Sequence, residues 1–88
     1  MKVSVQSSFE KDVLKIKDKK LAKQLNRAIG IFENCKSLSE IPNLKKIKSK
    51  GSYYRLRLGS YRLGFKIEKE TIVLLRFMDR KEIYKYFP

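Results

Sequence analysis

The clearest pattern of apolar and polar positions lies in residues 53–67, where the two types alternate. Alternation with period two is typical of a strand that buries one face. Gly59-Ser60 divides this stretch, and a glycine in the first place suits the type II′ turn of a β-hairpin. The turn sets a register in which one face of the hairpin is wholly apolar. That face consists of Tyr54, Leu56, Leu58, Tyr61, Leu63 and Phe65.

The opposite face of the hairpin, called the basic face below, carries Arg55, Arg57 and Arg62 and no acid. The register places Arg57 directly across from Arg62, although like charges in that relation destabilise a sheet. Violations of local rules concentrate at functional sites, whereas runs of charge are also common on solvated surfaces. The pattern therefore makes this face a candidate site, with a plain solvated face as the alternative.

The N-terminal third of the chain predicts a short strand followed by two helices. Residues 2–6 are the strand candidate, and Ser7 and Glu10 then have the spacing of a capping box, with Ser7 as the N-cap. The buried face of this first helix is predicted to carry Phe9, Val13 and Ile16. Asp18 is the expected N-cap of a second helix over residues 19–35, where apolar positions recur at helical spacing. The tight link at residues 17–18 predicts an antiparallel helical hairpin.

In the C-terminal half, the sequence predicts a connecting segment before the hairpin, and a further strand and a short tail after it. Residues 36–52 are expected to be mostly connection, with Leu44 and Ile47 anchored on the core. Residues 68–70 are predicted to form a three-residue turn before an apolar strand over residues 71–78. In that register Arg76 lies beside Arg62 on the basic face, which avoids burying an unpaired charge. The core then receives Val73, Leu75 and Phe77. The tail predicts one or two helical turns from Arg80 to Tyr86.

This order of elements predicts an α+β fold in a single domain, residues 1–88. We expect a small, twisted antiparallel β-sheet of about four strands, with the N-terminal helical hairpin packed on one face. The basic face would be the other side of that sheet.

The charge of the chain indicates what kind of partner it binds. The 88 residues include 22 Lys and Arg against 9 Asp and Glu, a net charge of +13. Residues 43–67 hold eight of the basic residues and no acid, so most of the excess lies on the hairpin and the segment before it. Such an imbalance indicates an anionic partner. The charge alone leaves nucleic acid, an acidic membrane and an acidic protein as alternatives.

The remaining composition removes several classes of chemistry. A lone Cys35 allows no internal disulfide, which suits a reducing cytoplasm, and its phase with the helical stripe predicts a core position. With no His, neither a zinc site nor a triad with a histidine base is expected. No signal peptide is expected, because the N-terminal residues contain no long apolar run, and no run in the sequence approaches the roughly 18 apolar residues of a membrane-spanning helix. No cofactor or metal is expected, and the predicted location is cytoplasmic.

Three segments resemble the RelE/ParE superfamily of toxins from type II toxin–antitoxin systems. They are Leu44-Lys45-Lys46-Ile47, the hairpin segment Tyr53-Tyr54-Arg55-Leu56-Arg57-Leu58-Gly59-Ser60-Tyr61-Arg62-Leu63, and Arg80-Lys81-Glu82-Ile83-Tyr84. The resemblance covers nearly the whole chain and implies a cognate antitoxin as partner. RelE members cleave messenger RNA in the A site of the ribosome, without a metal. ParE members share the fold but inhibit DNA gyrase and are not nucleases.

By this resemblance, the RelE chemistry carries over to an arginine-rich set with one tyrosine. The catalytic candidates are Arg55, Arg57, Arg62, Arg80 and Tyr84. Attack of a 2′-hydroxyl on the adjacent phosphate builds negative charge on oxygen, which fixed guanidinium groups stabilise. An aromatic ring can stack on an unpaired base or orient the hydroxyl. The candidates for binding RNA and the ribosome are Lys45, Lys46, Lys48, Lys50, Arg76 and Lys81.

The chain also departs from the RelE pattern. Arginine stands at positions 55 and 57, where a lysine could lose its proton and act as a base, and arginine cannot. Met78 and Asp79 replace the Gly and the His or Lys that many relatives carry before the C-terminal Arg. The general base therefore stays unassigned, with Tyr84 as the candidate. A ParE-like gyrase binder and an inactive or merely RNA-binding relative remain as alternatives.

Overall fold

A computed structural model of the chain describes residues 1–47 and 51–88. Within them the strands form one sheet of five, in the order β1-β5-β4-β3-β2. The elements in chain order are β1 (Lys2–Val5), α1 (Ser7–Leu14), α2 (Lys19–Asn34), a 3₁₀ turn (Leu38–Glu40), β2 (Leu44–Lys46), β3 (Tyr53–Leu58), β4 (Tyr61–Glu68), β5 (Thr71–Asp79) and α3 (Arg80–Tyr86).

The α+β class is confirmed, but the expected sheet is wrong in two respects. It has five strands rather than about four, because Leu44–Lys46 pairs with β3 inside the predicted connection. It is also mixed rather than antiparallel, because β1 runs parallel to β5. The helices follow β1 instead of forming an N-terminal hairpin: α1 contacts β5, whereas α2 contacts β1 and β3.

The predicted β3–β4 hairpin and its register are confirmed. Leu58 pairs with Tyr61 and Arg57 with Arg62, and the pairing continues to Tyr53 and Lys66. Gly59 has φ of +61°, and it is the residue of the turn with a positive φ. A positive φ in the first place alone matches the type II′ pattern that the sequence predicts.

The β4–β5 turn differs from the prediction. Glu68 pairs with Thr71, so the turn has two residues, Lys69 and Glu70, both with positive φ. A β-bulge follows, because Phe65 pairs with Leu74 but the adjacent Gly64 pairs with Arg76. The bulge restores the predicted facing of residues 76 and 77. It also makes Leu74 a core residue in place of the predicted Leu75.

The helices largely follow the sequence prediction. Helix α2 begins after Asp18, whose side chain accepts from the backbone N–H groups of Lys20 and Leu21. The capping box at Ser7 is wrong, because Ser7 is already helical and Gln6 is the N-cap. The backbone N–H of Gln6 still bonds to the carbonyl of Leu74, so the chain passes directly from the sheet into α1.

Two groups of buried side chains flank the sheet. The main core lies between the sheet and helices α1 and α2, and includes Cys35 as predicted. Val73, Ile83 and Phe87 are also buried but lie outside that cluster. They belong to β5, to α3 and to the residue that ends α3. Helix α3 therefore packs on the other face of the sheet through a small apolar group of its own. Among the described residues, no helix combines the length and apolar character needed to span a membrane.

Candidate active-site cleft on the basic face

The sheet register arranges the cations of the basic face in cross-strand rows. Lys45 on β2 pairs with Arg55 on β3, Arg55 pairs with Gly64 on β4, and Gly64 pairs with Arg76 on β5. Paired residues project to the same face of a sheet. Arg57 and Arg62 form the next row. The basic face therefore also carries Lys45 and Arg76.

These rows border an open cleft of about 340 Å³. Its lining consists of Asn43, Lys45, Arg55, Arg57, Arg62 and Tyr84. Four of these six side chains are cations, one is an amide and one a phenol, and none is a carboxylate. The lining therefore offers many N–H donors and positive charge, which suits an anion such as a phosphodiester.

Neighbouring oxygens orient two of the guanidinium groups. Arg57 donates from Nη2 to Oδ1 of Asn43 at 3.1 Å. Asn43 has φ of +64°, a conformation that asparagine tolerates better than most residues, and its carbonyl accepts from the Arg57 backbone N–H. Arg62 donates from Nη1 to the carbonyls of Gly59 at 3.0 Å and Tyr61 at 2.9 Å.

Helix α3 brings Tyr84 to the cleft. The guanidinium carbon of Arg55 lies 4.7 Å from the centre of the Tyr84 ring, a cation–π distance. Tyr84 is 63% exposed, so the face of its ring away from Arg55 is open to a ligand. Asp79, which departs from the RelE pattern, caps this helix by accepting from the Lys81 backbone N–H. Its carboxylate therefore has a structural use and does not line the cleft.

Acidic partners engage other cations of this face rather than those of the cleft. Arg76 forms a two-pronged ion pair with the buried Asp12, at 2.8 and 3.0 Å. Lys66 pairs with Glu68, and this hydrogen bond raises the pKa of the Lys66 ammonium, so that Lys66 is poorly suited to act as a base. In residues 1–47 and 51–88, no ion pair involves Arg55, Arg57 or Arg62.

The structure brings together only part of the predicted site. Arg80 and Lys81 lie outside the cleft lining; Arg80 is beside the hairpin turn, where its backbone N–H donates to the Ser60 carbonyl. Lys46 pairs with Tyr54 and so projects to the helix-covered side of the sheet. The predicted contacts Lys48 and Lys50 fall outside the described residues.

Two parts of this arrangement were missed from the sequence. The first is Asn43, which is not among the predicted site residues, although an Asn directly after Pro42 is a turn signal that indicates its left-handed conformation. The ion-pair partner of Arg76 is the second. It is Asp12, 64 residues away in the chain, and no local pattern predicts that pairing.

Comparison with known proteins gives three consistent results. Residues 3–84 match the family described as ParE toxin of type II toxin-antitoxin system, parDE. The chain is 39% identical over 89 residues to Toxin RelE3 of Methanocaldococcus jannaschii, and the match covers all of both proteins. The RelB-RelE antitoxin-toxin complex from Methanococcus jannaschii contains a similar chain, with TM-score 0.83 and 34% identity over 97% of this chain and 99% of that one.

A more distant structure has the same fold. It is the archaeal RelE-RelB complex from Pyrococcus horikoshii OT3, with a TM-score of 0.73, 22% identity, and coverage of 90% of this chain and 93% of that one.

Proposed function

The chain belongs to the RelE/ParE superfamily of toxins from type II toxin–antitoxin systems, and from this premise we propose that it is an endoribonuclease that cleaves messenger RNA on the ribosome. The observation that carries the proposal is the cleft itself. Three arginines, a lysine and an exposed tyrosine surround one opening without a carboxylate among them. A surface that only supported the fold would not gather like charges in this way.

In this proposal the reaction is attack by a ribose 2′-hydroxyl on the adjacent phosphorus. The 2′-hydroxyl gives up its proton to a base, for which Tyr84 is the candidate, and its oxygen bonds to phosphorus. The P–O5′ bond breaks, a 2′,3′-cyclic phosphate forms, and the 5′-oxygen leaves as a hydroxyl after gaining a proton. Arg55, Arg57 and Arg62 stabilise the charge that develops on the phosphoryl oxygens. Tyr84 stacks on a base or orients the hydroxyl. Lys45 holds the neighbouring phosphate by charge.

The alternative is a ParE-like inhibitor of DNA gyrase that has no catalytic activity. The family model carries the ParE name. The relatives at 39% and 34% identity carry the RelE name, which supports the ribonuclease. The cationic cleft also favours the ribonuclease, because a protein that only binds gyrase has no need of a cluster of side chains that bind phosphate.

Two assays run side by side separate these functions. Purified protein is added to a reconstituted translation reaction, where messenger RNA ends are mapped, and to a gyrase supercoiling reaction. We expect new RNA ends with 2′,3′-cyclic phosphates and unchanged supercoiling. Inhibited supercoiling with intact messenger RNA would instead establish the ParE-like function.

A pair of charge-matched variants links the activity to the cleft. The first replaces Arg55, Arg57 and Arg62 with Gln, and we expect it to lose cleavage. The second replaces three exposed lysines outside the cleft, Lys11, Lys17 and Lys19, with Gln. It has the same net charge and should keep most of its activity. Equal loss in both variants would show that only total charge matters.

We further propose that a cognate antitoxin neutralises this toxin. Two solved relatives were crystallised as antitoxin–toxin complexes. The net charge of +13 suits an acidic segment that folds on binding. Pull-down from the native host should recover a small acidic protein encoded beside this gene. Failure to recover such a protein under low-salt conditions would count against this partner.

A further inference from the structure

We propose that Gly64 is a positioning residue, which seats the ring of Phe87 and thereby holds Tyr84 over Arg55 at the cleft. The catalytic consequence rests on the proposed ribonuclease function, whereas the placement of Tyr84 does not. Gly64 contacts none of the reacting groups in this proposal. It acts through Phe87 and the helix that Phe87 terminates.

Gly64 occupies a gap in a row of cations. The row runs Lys45, Arg55, Gly64, Arg76 across four strands, so the glycine lies between two arginines. Any side chain here would project toward α3, on the same face as its neighbours. Without one, the row has an apolar notch one residue wide.

The ring of Phe87 fills this notch. A Cβ built on Gly64 would lie 2.8 Å from both Cγ and Cδ2 of Phe87, closer than real Cβ contacts. The same ring stacks on Tyr53, with centroids 5.8 Å apart, and Phe87 is only 5% exposed. The fit therefore depends on the glycine, and even a methyl group would displace the ring.

Phe87 transmits its position to α3. Its backbone N–H donates to the carbonyl of Ile83 at 2.9 Å and so closes the last turn of the helix. Ile83 is fully buried, which gives the helix a second apolar anchor. Moving the Phe87 ring off Gly64 therefore shifts or tilts the C-terminal end of α3, and Tyr84 with it.

The contacts of Tyr84 and Tyr86 are too exposed to hold the helix alone. Tyr84 lies over Arg55 at 4.7 Å and Tyr86 over Arg76 at 5.7 Å, on the two sides of the notch. Both tyrosines are more than half exposed, and exposed cation–π contacts are weak. The helix thus straddles the row, with Phe87 as its central anchor and the tyrosines placed by it.

Nuclear magnetic resonance tests the placement without any need for activity. The protons on Cδ and Nε of Arg55 lie close to its guanidinium carbon, which faces the Tyr84 ring. The ring current should therefore shift the resonances of these protons upfield. We expect this shift to disappear in Tyr84→Ala and to fall by at least half in Gly64→Ala. The matched control is Gly30→Ala, because a Cβ at Gly30 meets no atom within 4 Å. It should leave the Arg55 signals unchanged.

Kinetics tests the consequence. In single-turnover cleavage on saturating programmed ribosomes, Gly64→Ala should lower the rate about tenfold to a hundredfold, as a displaced catalytic group does. Ribosome affinity should stay within twofold. In the Tyr84→Ala background, the same Gly64→Ala change should cost less than twofold, because there is no ring left to misplace. A purely structural glycine would give the same loss in both backgrounds.

Phe87→Ala keeps the test decisive if Gly64→Ala does not fold. This variant removes the anchor without adding a clash, and it too should lose the Arg55 shift. An unchanged shift in folded Gly64→Ala, or in Phe87→Ala, would overturn the proposal. An equal loss of cleavage with and without Tyr84 would also overturn it. If the unmodified protein cleaves no RNA, the proposed function fails, and the resonance shifts still decide the role of Gly64.

Discussion

Arg62 uses only part of its hydrogen-bonding capacity in the fold. A guanidinium has five N–H donors, and the two on Nη1 go to the carbonyls of Gly59 and Tyr61. Within residues 1–47 and 51–88, no group accepts from its Nε or Nη2, so these donors can serve a ligand in the cleft. The position of Arg62 could be predicted, because the Gly59-Ser60 turn fixes the register residue by residue. Its contact with the turn carbonyls could not, because several rotamers suit a half-buried arginine.

Replacing Arg62 with Ala should separate catalysis from stability. The variant loses two hydrogen bonds but also the repulsion from Arg57, so we expect a change in unfolding free energy of at most about 1 kcal/mol. Cleavage should fall on the order of a hundredfold to a thousandfold. Single-turnover cleavage on programmed ribosomes and a thermal melt of the same sample give both quantities. Near-normal cleavage by folded Arg62→Ala would remove the nuclease assignment of this cleft.

Asp12 shows what residue-level patterns leave out. It is 4% exposed and accepts from Arg76 and from the backbone N–H of Phe77. In the sequence it lies between the apolar positions Phe9 and Val13, and no neighbouring residue indicates its ion-pair partner. The bond to Phe77 lies beyond Val5, where β1 has ended and the edge of β5 would otherwise lack an acceptor. The Asp12 side chain thus supplies a hydrogen-bond acceptor to β5 beyond the end of β1.

Asp12→Ala should therefore be strongly destabilising. It leaves a buried N–H without an acceptor and a partly buried guanidinium without its counter-charge. We expect a loss of about 2–4 kcal/mol in unfolding free energy, because Arg76 keeps some contact with water. Urea denaturation measures it, with Glu10→Ala, an exposed acid on the same helix, as control. A loss below that of Glu10→Ala would mean that the ion pair contributes nothing.

At the scale of elements, prediction succeeded where the local chemistry is distinctive. The β3–β4 turn has its glycine, and α2 has its Asp18 cap and a long apolar stripe. Strand β2 has only three residues, too few for an alternating pattern to show. Helix α3 was predicted over Arg80–Tyr86 and found there. Its docking over Gly64 depends on a contact between distant parts of the chain.

The residues of the β4–β5 turn explain why its predicted length of three residues is wrong. A two-residue type I′ turn needs positive φ at both positions, and its usual residues are Asn and Gly. This chain has Lys69 and Glu70, with φ of +47° and +67°. The sequence therefore gives no sign of the tight turn. The bulge beside Gly64 then compensates for the missing residue, and so Arg76 reached its predicted face by a different route.

Replacing Lys69 with Asn and Glu70 with Gly should stabilise the protein. The left-handed conformation costs an ordinary residue about 1–2 kcal/mol, and much less for Asn or Gly. We expect the free energy of unfolding to rise by about 1–2 kcal/mol in total. Cleavage should not change, because this turn lies at the opposite end of β4 from Arg62. Changing both Lys69 and Glu70 to Ala removes the same two charges but introduces neither Asn nor Gly, and it should give no gain; an equal gain would indicate a charge effect.

At the scale of the whole molecule, the net charge of +13 predicted an anionic partner but not the direction of each charge. Lys45 and Lys46 are adjacent, and both are exposed. From the sequence, both are candidates for binding RNA and the ribosome. The register separates them, because Lys45 pairs with Arg55 and Lys46 with Tyr54. That difference depends on the pairing of β2, the strand that the sequence did not reveal.

The salt dependence of ribosome binding should distinguish these two lysines. Each phosphate contact contributes about 0.7–0.9 to the slope of log affinity against log salt. Lys45→Ala should therefore flatten the slope by about that amount, because its ammonium lies at the cleft. Lys46→Ala removes the same charge one residue away but on the other side of the sheet, so it should change the slope by much less. Binding is measured by filtration of labelled protein on programmed ribosomes across a range of salt concentrations. Equal slopes for the two variants would show that the ribosome responds to total charge, and a slope near zero for the unmodified protein would rule out a surface that follows phosphates.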